Sequence, residues 1–464
     1  MNKQNQKRTY RFLLGTFAIG LGLLLEHSYI GIALSLILAG LAFSDEKLGI
    51  LYLAAFIPIR PFLAVCNDGY KFLGLFIVAA LLLKVALLYK HDYKKLLRFH
   101  YFELAYFLFC LFGAAVAYWH GVAPIAIVTQ LYTFLLFYFL FYIVSRLSLQ
   151  KEDIVWLAFA TFFTSVIMSI HGLIEKLSLR TMLLPDEWKA LDLAPTNRIR
   201  IYGLAGGPNE LALYLIIAFF LSLYLLRLAK GKQKFLLYAG LCIIQTAFWL
   251  TYSRGALLTI LAFLPLYIAI HKKIPYWRLL VSLTLLSLIL SFAVAQLTNY
   301  LEGPNLAAKR FTDAFSKETI TMSEEDGRIY YVKKGLEVFR DKPITGYGFG
   351  TFGDAATQTY SSPIYDKYDI TWNFYSDNQY IQVLAETGII GTMLCMIFAA
   401  GIVHIIWKLR QGYVTSPFLL YVLAGSLIGS LVYNILENDT FMMYAFLALG
   451  YSYPYYKGSV KLDC

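Results

Sequence analysis

The sequence predicts an all-α polytopic membrane protein that crosses the bilayer many times and carries one large folded loop on its outer side. Three observations predict it. Of 464 residues, 59% are hydrophobic and only 15% charged, more apolar surface than a soluble chain of this length can hide. The apolar residues fall in long runs, and only helices satisfy their own backbone groups in lipid. Basic residues gather in alternate connections between the runs.

A helical span takes about 20 mostly apolar residues, fewer where the bilayer thins. Candidate spans are 11–25, 29–43, 48–65, 71–89, 101–118, 123–145, 154–175, 209–227, 235–252, 255–270, 278–297, 379–407, 416–436 and 440–455. This is the upper end of an expected range of about 12–14 transmembrane helices. The first three are short, or interrupted by Pro58 and Pro61. The first run is followed at once by another, so it reads as a retained span and not a cleaved leader.

The basic residues orient the spans. With Lys3, Lys7, Arg8 and Arg11 inside, the connections expected in the cytoplasm carry Lys90, Lys94, Lys95 and Arg98; Arg146 and Lys151; Arg227, Lys230, Lys232 and Lys234; Lys272, Lys273 and Arg278; and Lys408 and Arg410. The tail, with Lys457 and Lys461, falls inside as well. Both termini are therefore expected in the cytoplasm. The net charge of +11 is accounted for along the membrane and points to no nucleic acid. No internal repeat or linker divides the chain, so residues 1–464 are expected to form a single membrane domain. Two long connections lie outside, 176–208 and 298–378.

The second of these opens the only long polar stretch, Asp326 to Gly391. Ile329, Val332, Leu336 and Phe339 repeat near helical spacing, which predicts an amphipathic helix over about 326–341, ended by Asp341-Lys342-Pro343. Gly346-Tyr347-Gly348-Phe349-Gly350 predicts a tight turn. It is no dinucleotide fingerprint, because no βαβ pattern surrounds it. Tyr360, Tyr365, Tyr368, Trp372, Phe374 and Tyr375 suggest an aromatic belt at the headgroup level.

Several residues in these outer segments are suited to chemistry. Arg254, in Tyr252-Ser253-Arg254-Gly255-Ala256, is expected at the outer end of a span, where its guanidinium could hold phosphate oxygens in pairs or simply snorkel. Arg328 opens the loop helix as a second phosphate clamp, or pairs with Glu324 or Glu325 on the surface. Asp377 precedes a long apolar helix; it could accept a proton from an attacking hydroxyl or cap that helix. Glu386 lies roughly 180° round the helix from Asp377 and is expected to pair with another helix. Gly388 and Gly391 are expected to allow close helix packing. In the first outer loop, Arg198 and Arg200 precede Gly206-Gly207-Pro208-Asn209-Glu210, where Asn209 suits a helix start that favours anions, or a capped turn. Tyr252, Asn378 and Tyr380 complete the candidate binding set, and Gly346 and Gly348 the structural one. His171, His271 and His404 are scattered. Cys66, Cys110, Cys242, Cys395 and Cys464 have no metal-ligand spacing, so neither a metal nor a disulfide framework is expected.

Taken in order, Gly-Pro-Asn-Glu at 207–210, Ser253-Arg254-Gly255-Ala256, Arg328, Pro343 with the glycine turn, and Asn378-Gln379-Tyr380 to Glu386-Thr387-Gly388-Ile389-Ile390-Gly391 resemble the O-antigen ligase and O-antigen polymerase superfamily. The resemblance covers about residues 198–410. It implies a GT-C-like architecture and a metal-independent, inverting glycosyltransferase without cofactor, which takes sugar from an undecaprenyl-diphosphate carrier on the outer face of the bacterial cytoplasmic membrane. Arg254 and Arg328 would then neutralise the leaving diphosphate. Ligase members usually carry a His before the Asn of the last stretch; here that place is Asp377.

The expected function is polymerisation of lipid-linked repeats into a cell-surface polysaccharide, with membrane lipid and other polysaccharide-assembly proteins as partners. A ligase passing finished glycan to a different acceptor is the alternative within the same chemistry. A flippase of the lipid-linked sugar is the alternative from another class. It would show repeated halves around a charged midplane site, and neither is evident.

Overall fold

The computed structural model describes residues 3–147, 149–272, 274, 277–302, 321, 323–325, 327–410 and 416–456. Lys273, residues 303–320, Asp326, Lys457, Lys461 and Cys464 lie outside the described residues. Among the described residues there are helices and turns and no strand. The main helices are α1 Lys3–Leu25, α2 Ser28–Ser44, α3 Glu46–Phe56, α4 Arg60–Cys66, α5 Leu73–Leu88, α6 Tyr101–Trp119, α7 Pro124–Val144, α8 Lys151–Leu177 and α9 Pro208–Leu228. They continue as α10 Gly231–Leu250, α11 Arg254–His271, α12 Trp277–Glu302, α13 Arg328–Asp341, α14 Ala355–Tyr360, α15 Gln379–Lys408, α16 Ser416–Gly429 and α17 Asp439–Tyr456.

The protein is an all-α polytopic membrane protein. Among the described residues, ten helices are long and apolar enough to cross a membrane, or eleven if α3 and α4, bent by 78°, count as one broken span. The bend falls at Pro58, where the missing N–H and the fixed ring end one helix and restart another. α2 and α16 are shorter apolar helices. Every predicted span is helical through most of its length, with one correction. The run 416–436 stops being an α-helix at Gly429, and residues 430–438 form a turn. Leu13, Leu14, Phe17, Leu111, Val128, Ile289 and Met396 are exposed, as lipid-facing side chains must be.

The chain divides into two compact units: 1–90, 146–254 and 273–311, and 91–145, 255–272 and 312–464. Within the first, connections of the same predicted side meet each other. Arg8 bonds Asp45 (3.0 Å), Lys47 bonds Asp153 (2.6 Å), and Tyr89 Oη donates to the Arg146 carbonyl. Connections of the opposite parity meet likewise, with Asn67 donating to the carbonyls of Gly22 and His27.

The second unit has its own sorting. Tyr142 reaches the Leu96 carbonyl, and Ser416 reaches Arg410 and His271. The polar loop packs at the opposite ends of these helices. Val338, Phe352, Ile364, Tyr365, Tyr368, Ile370, Phe374 and Ala385 form a small core under it. The expected aromatic belt is therefore only partial: Tyr365, Tyr368 and Phe374 are core, while Tyr360, Trp372 and Tyr375 remain exposed. Asp341 closes the end of α13 by accepting from Lys367, from Tyr368 Oη (2.7 Å) and from Tyr347 Oη (3.3 Å). Those donors, Lys367 first, lower its carboxyl to about 2.

Candidate active site

The glycine run owes its shape to a break in α15. Gly388, at φ 58° and ψ −158°, interrupts the helix, a backbone conformation essentially reserved for glycine. Backbone groups freed by the break would be costly in a membrane-buried position. Segment 343–348 satisfies them. The N–H groups of Ile389 and Ile390 donate to the carbonyls of Pro343 (2.9 Å) and Ile344 (3.2 Å), while Gly348 and Tyr347 donate to the carbonyls of Glu386 (2.6 Å) and Ala385 (3.4 Å). Gly346, at φ 66°, sits directly on the Glu386 carbonyl, where any Cβ would collide. Gly391 has a different setting: the atoms nearest a Cβ there belong to Thr387 of its own helix.

Glu386 is 1% exposed. Its carboxylate accepts from the N–H groups of Thr351 and Phe352 (3.2 Å each) and from Gln382 Nε2 (3.3 Å). It holds the loop rather than a charge on another helix. Gln382 also donates to Glu437, which accepts from Gln130 Nε2 (2.7 Å) and Ala355 N (2.9 Å).

Arg328 is the first residue of α13, and Asp377 lies just before α15. Their side chains meet, with Arg328 Nε donating to Asp377 Oδ2 at 3.1 Å. The surface pairing expected with Glu324 belongs to Lys333 instead. Arg328 and Asp377 side chains are 42% and 38% exposed, so the pair contributes little to stability. Asp377 does not cap the helix: Asn378 is the N-cap, and its side chain accepts from Ile381 N at 3.1 Å. Asp377 has φ 49°, left-handed backbone that Asp and Asn tolerate better than most residues. Tyr380 donates to the Leu427 carbonyl at 2.8 Å.

The turn 430–438 holds the strap that carries Asp377. Asn434 accepts from Ser376 Oγ and donates to the Gly353 carbonyl, both at 2.7 Å. Gln379 N donates to the Ser430 carbonyl, and Asn378 Nδ2 to that of Leu431. Tyr433 lies under Arg328, its ring centroid 6.0 Å from the guanidinium carbon. Sequence reasoning placed 430–436 inside a span and missed Tyr433, Asn434 and Glu437. The polar run Asn434-Ile435-Leu436-Glu437-Asn438-Asp439 was the signal available.

In the first unit, Arg200 is buried and engaged. It donates to the Thr251 carbonyl (2.8 Å) and to Asn209 Oδ1 (2.7 Å), which also accepts from Ser253 Oγ (3.0 Å). Asn209 therefore does not start α9 as its cap; Gly207 holds that position. The cation meets the C-terminal carbonyls of α10, where a positive charge is favoured. Arg198 is exposed. Glu175, 1% exposed, fixes the loop by accepting from Tyr202 N (3.0 Å), Gly203 N (2.7 Å) and Arg180. Tyr252, at φ 49°, turns the chain toward Arg254, the exposed first residue of α11.

Among the described residues, no group of three or more His, Cys, Asp or Glu could hold a metal ion. The groups that meet at the edge of the folded loop are a guanidinium, a carboxylate and side-chain amides. A family model described as O-antigen ligase matches residues 237–396. No curated protein matches the chain.

Proposed function

With an O-antigen ligase domain at residues 237–396 as premise, we propose that this membrane protein is an extracytoplasmic polymerase of lipid-linked glycan repeats. The observation that carries the reading is the Arg328–Asp377 pair, which places a cation and a carboxylate side by side on the exposed rim of the loop. An acceptor hydroxyl oxygen bonds to the anomeric carbon of the lipid-linked sugar. The bond from that carbon to the diphosphate breaks, its electron pair stays on the phosphate, and direct displacement inverts the centre. Arg328 meets the charge growing on the leaving phosphate, and Arg254 is given the same task. Asp377 holds Arg328 and orients the acceptor hydroxyl, whose proton leaves to Asp377 or water. Because arginines supply the positive charge, the reading calls for no metal.

The Asp at 377, where ligase members of the resembling superfamily usually carry a His, supports polymerase over ligase. The test supplies undecaprenyl-diphosphate-linked repeats to the purified protein in lipid nanodiscs. Polymer longer than two repeats, unaffected by chelator, is expected. Arg328→Lys and Arg254→Lys should each lose at least about tenfold in rate, because a point charge lacks the planar fork. Transfer to an unrelated acceptor without chain growth would make the protein a ligase.

A further inference from the structure

We propose that Tyr433, outside the matched domain, is the positioning residue that aims Arg328 at the leaving diphosphate; this rests on the polymerase or ligase reading above. A guanidinium offers two edges and two faces. Arg328 has its Nε on Asp377 Oδ2 at 3.1 Å and one face over the Tyr433 ring. Among the described residues its two terminal amino groups have no hydrogen-bond partner. These are the groups that grip two phosphate oxygens side by side. With Nε and one face already held, the fork is set before the ligand arrives, and less ordering is lost on binding.

The ring is itself fixed. Its phenol end fills the place a side chain would take at Gly255, the glycine of the Ser253-Arg254-Gly255-Ala256 run. The turn that carries it is tied down by Asn434 on Ser376 and Gly353, by Gln379 Oε1 accepting from Leu436 N, and by Glu437 on Ala355 N. Tyr433 is thus a rigid shelf beneath the Arg328 guanidinium.

The test measures binding of undecaprenyl diphosphate, the leaving group itself, to nanodisc-embedded protein, with the lipid raised until every variant saturates. Tyr433→Phe keeps the ring face and should bind within about twofold of wild type. Tyr433→Leu removes it and should weaken binding about fivefold, the scale of a half-exposed cation–π contact. In an Arg328→Ala background, Tyr433→Leu should change affinity by less than about twofold, because its effect passes through the arginine. Equal weakening in both backgrounds, or none in either, overturns the proposal. Thermal melting without ligand checks folding, and Tyr433→Met replaces the leucine variant if that one unfolds. An Arg328→Ala protein that binds the lipid like wild type would instead overturn the phosphate assignment on which the proposal stands.

Discussion

Asp377 combines a left-handed backbone, φ 49°, with a side chain on Arg328. Its substitutions can therefore separate three roles. Asn tolerates the same backbone and keeps an oxygen for Arg328 Nε, so Asp377→Asn should fold normally and retain rate within about tenfold, the scale of weakening one charge-assisted hydrogen bond. Asp377→Gly relaxes the backbone but leaves Arg328 unheld, and should be slower than the Asn variant. A loss beyond roughly 100-fold in the Asn variant, at normal abundance, would show that the carboxylate takes the proton as a base. Helix capping belongs to Asn378 instead. Asn378→Ala should cost about 1 kcal/mol of stability, read as a lower melting temperature.

The break in α15 sets the next scale. Gly346 and Gly388 are pressed against each other's segments, each at positive φ and each backed by carbonyl groups. Gly346→Ala should cost at least about 1–2 kcal/mol from backbone strain alone, with the carbonyl collision added. Reduced abundance and an earlier melt would register it; a melt equal to wild type would mean that the inserted segment is not seated there. Beside the break, burial and then the charge of Asp354 push the Glu437 carboxyl up to about 8. The folded protein thus holds this proton more tightly than the unfolded chain, where the value is roughly 4.3. The contribution is fullest below the unfolded value and is lost as pH rises toward about 8. Melting temperature should fall between about pH 5 and pH 8.5 in wild type, and fall less in Glu437→Gln. Parallel slopes would remove Glu437 as the source.

For the whole molecule, the sidedness of the connections is the testable quantity. Within each unit, connections of like parity meet one another; the helices long and apolar enough to span number ten or eleven among the described residues, against an expected range of about 12–14. Which end faces the cytoplasm follows only from the basic residues, and is a proposal. In a background without native cysteines, a cysteine at exposed Asp366 should react with an impermeant thiol reagent in intact cells, and one at exposed Lys232 should not. The reverse pattern would invert the protein. The amphipathic helix at 328–341, the turn at 346–350 and the fourteen apolar runs were all legible, because hydropathy, helical period and glycine spacing are local properties. The end of α16 at Gly429 was missed, because Leu431, Val432, Ile435 and Leu436 outweigh Asn434 in the hydropathy of the run, although the polar residues 437–439 follow at once.

The membrane-spanning helical class, the boundaries of most spans, the polar loop and the candidates Arg328 and Asp377 were all readable along the chain. Bilayer burial imposes the first three through composition and period, while Arg328 and Asp377 stand out by their chemistry and by the family resemblance. The fold in three dimensions puts Arg328 on Asp377 and not on Glu324, pairs Arg200 with Asn209, and brings Tyr433 under Arg328 and Asn434 onto Ser376. Each is a contact between side chains that the fold, and not their local spacing, brings together. The break at Gly388 determines where segment 343–348 must insert, and no local pattern carries that information.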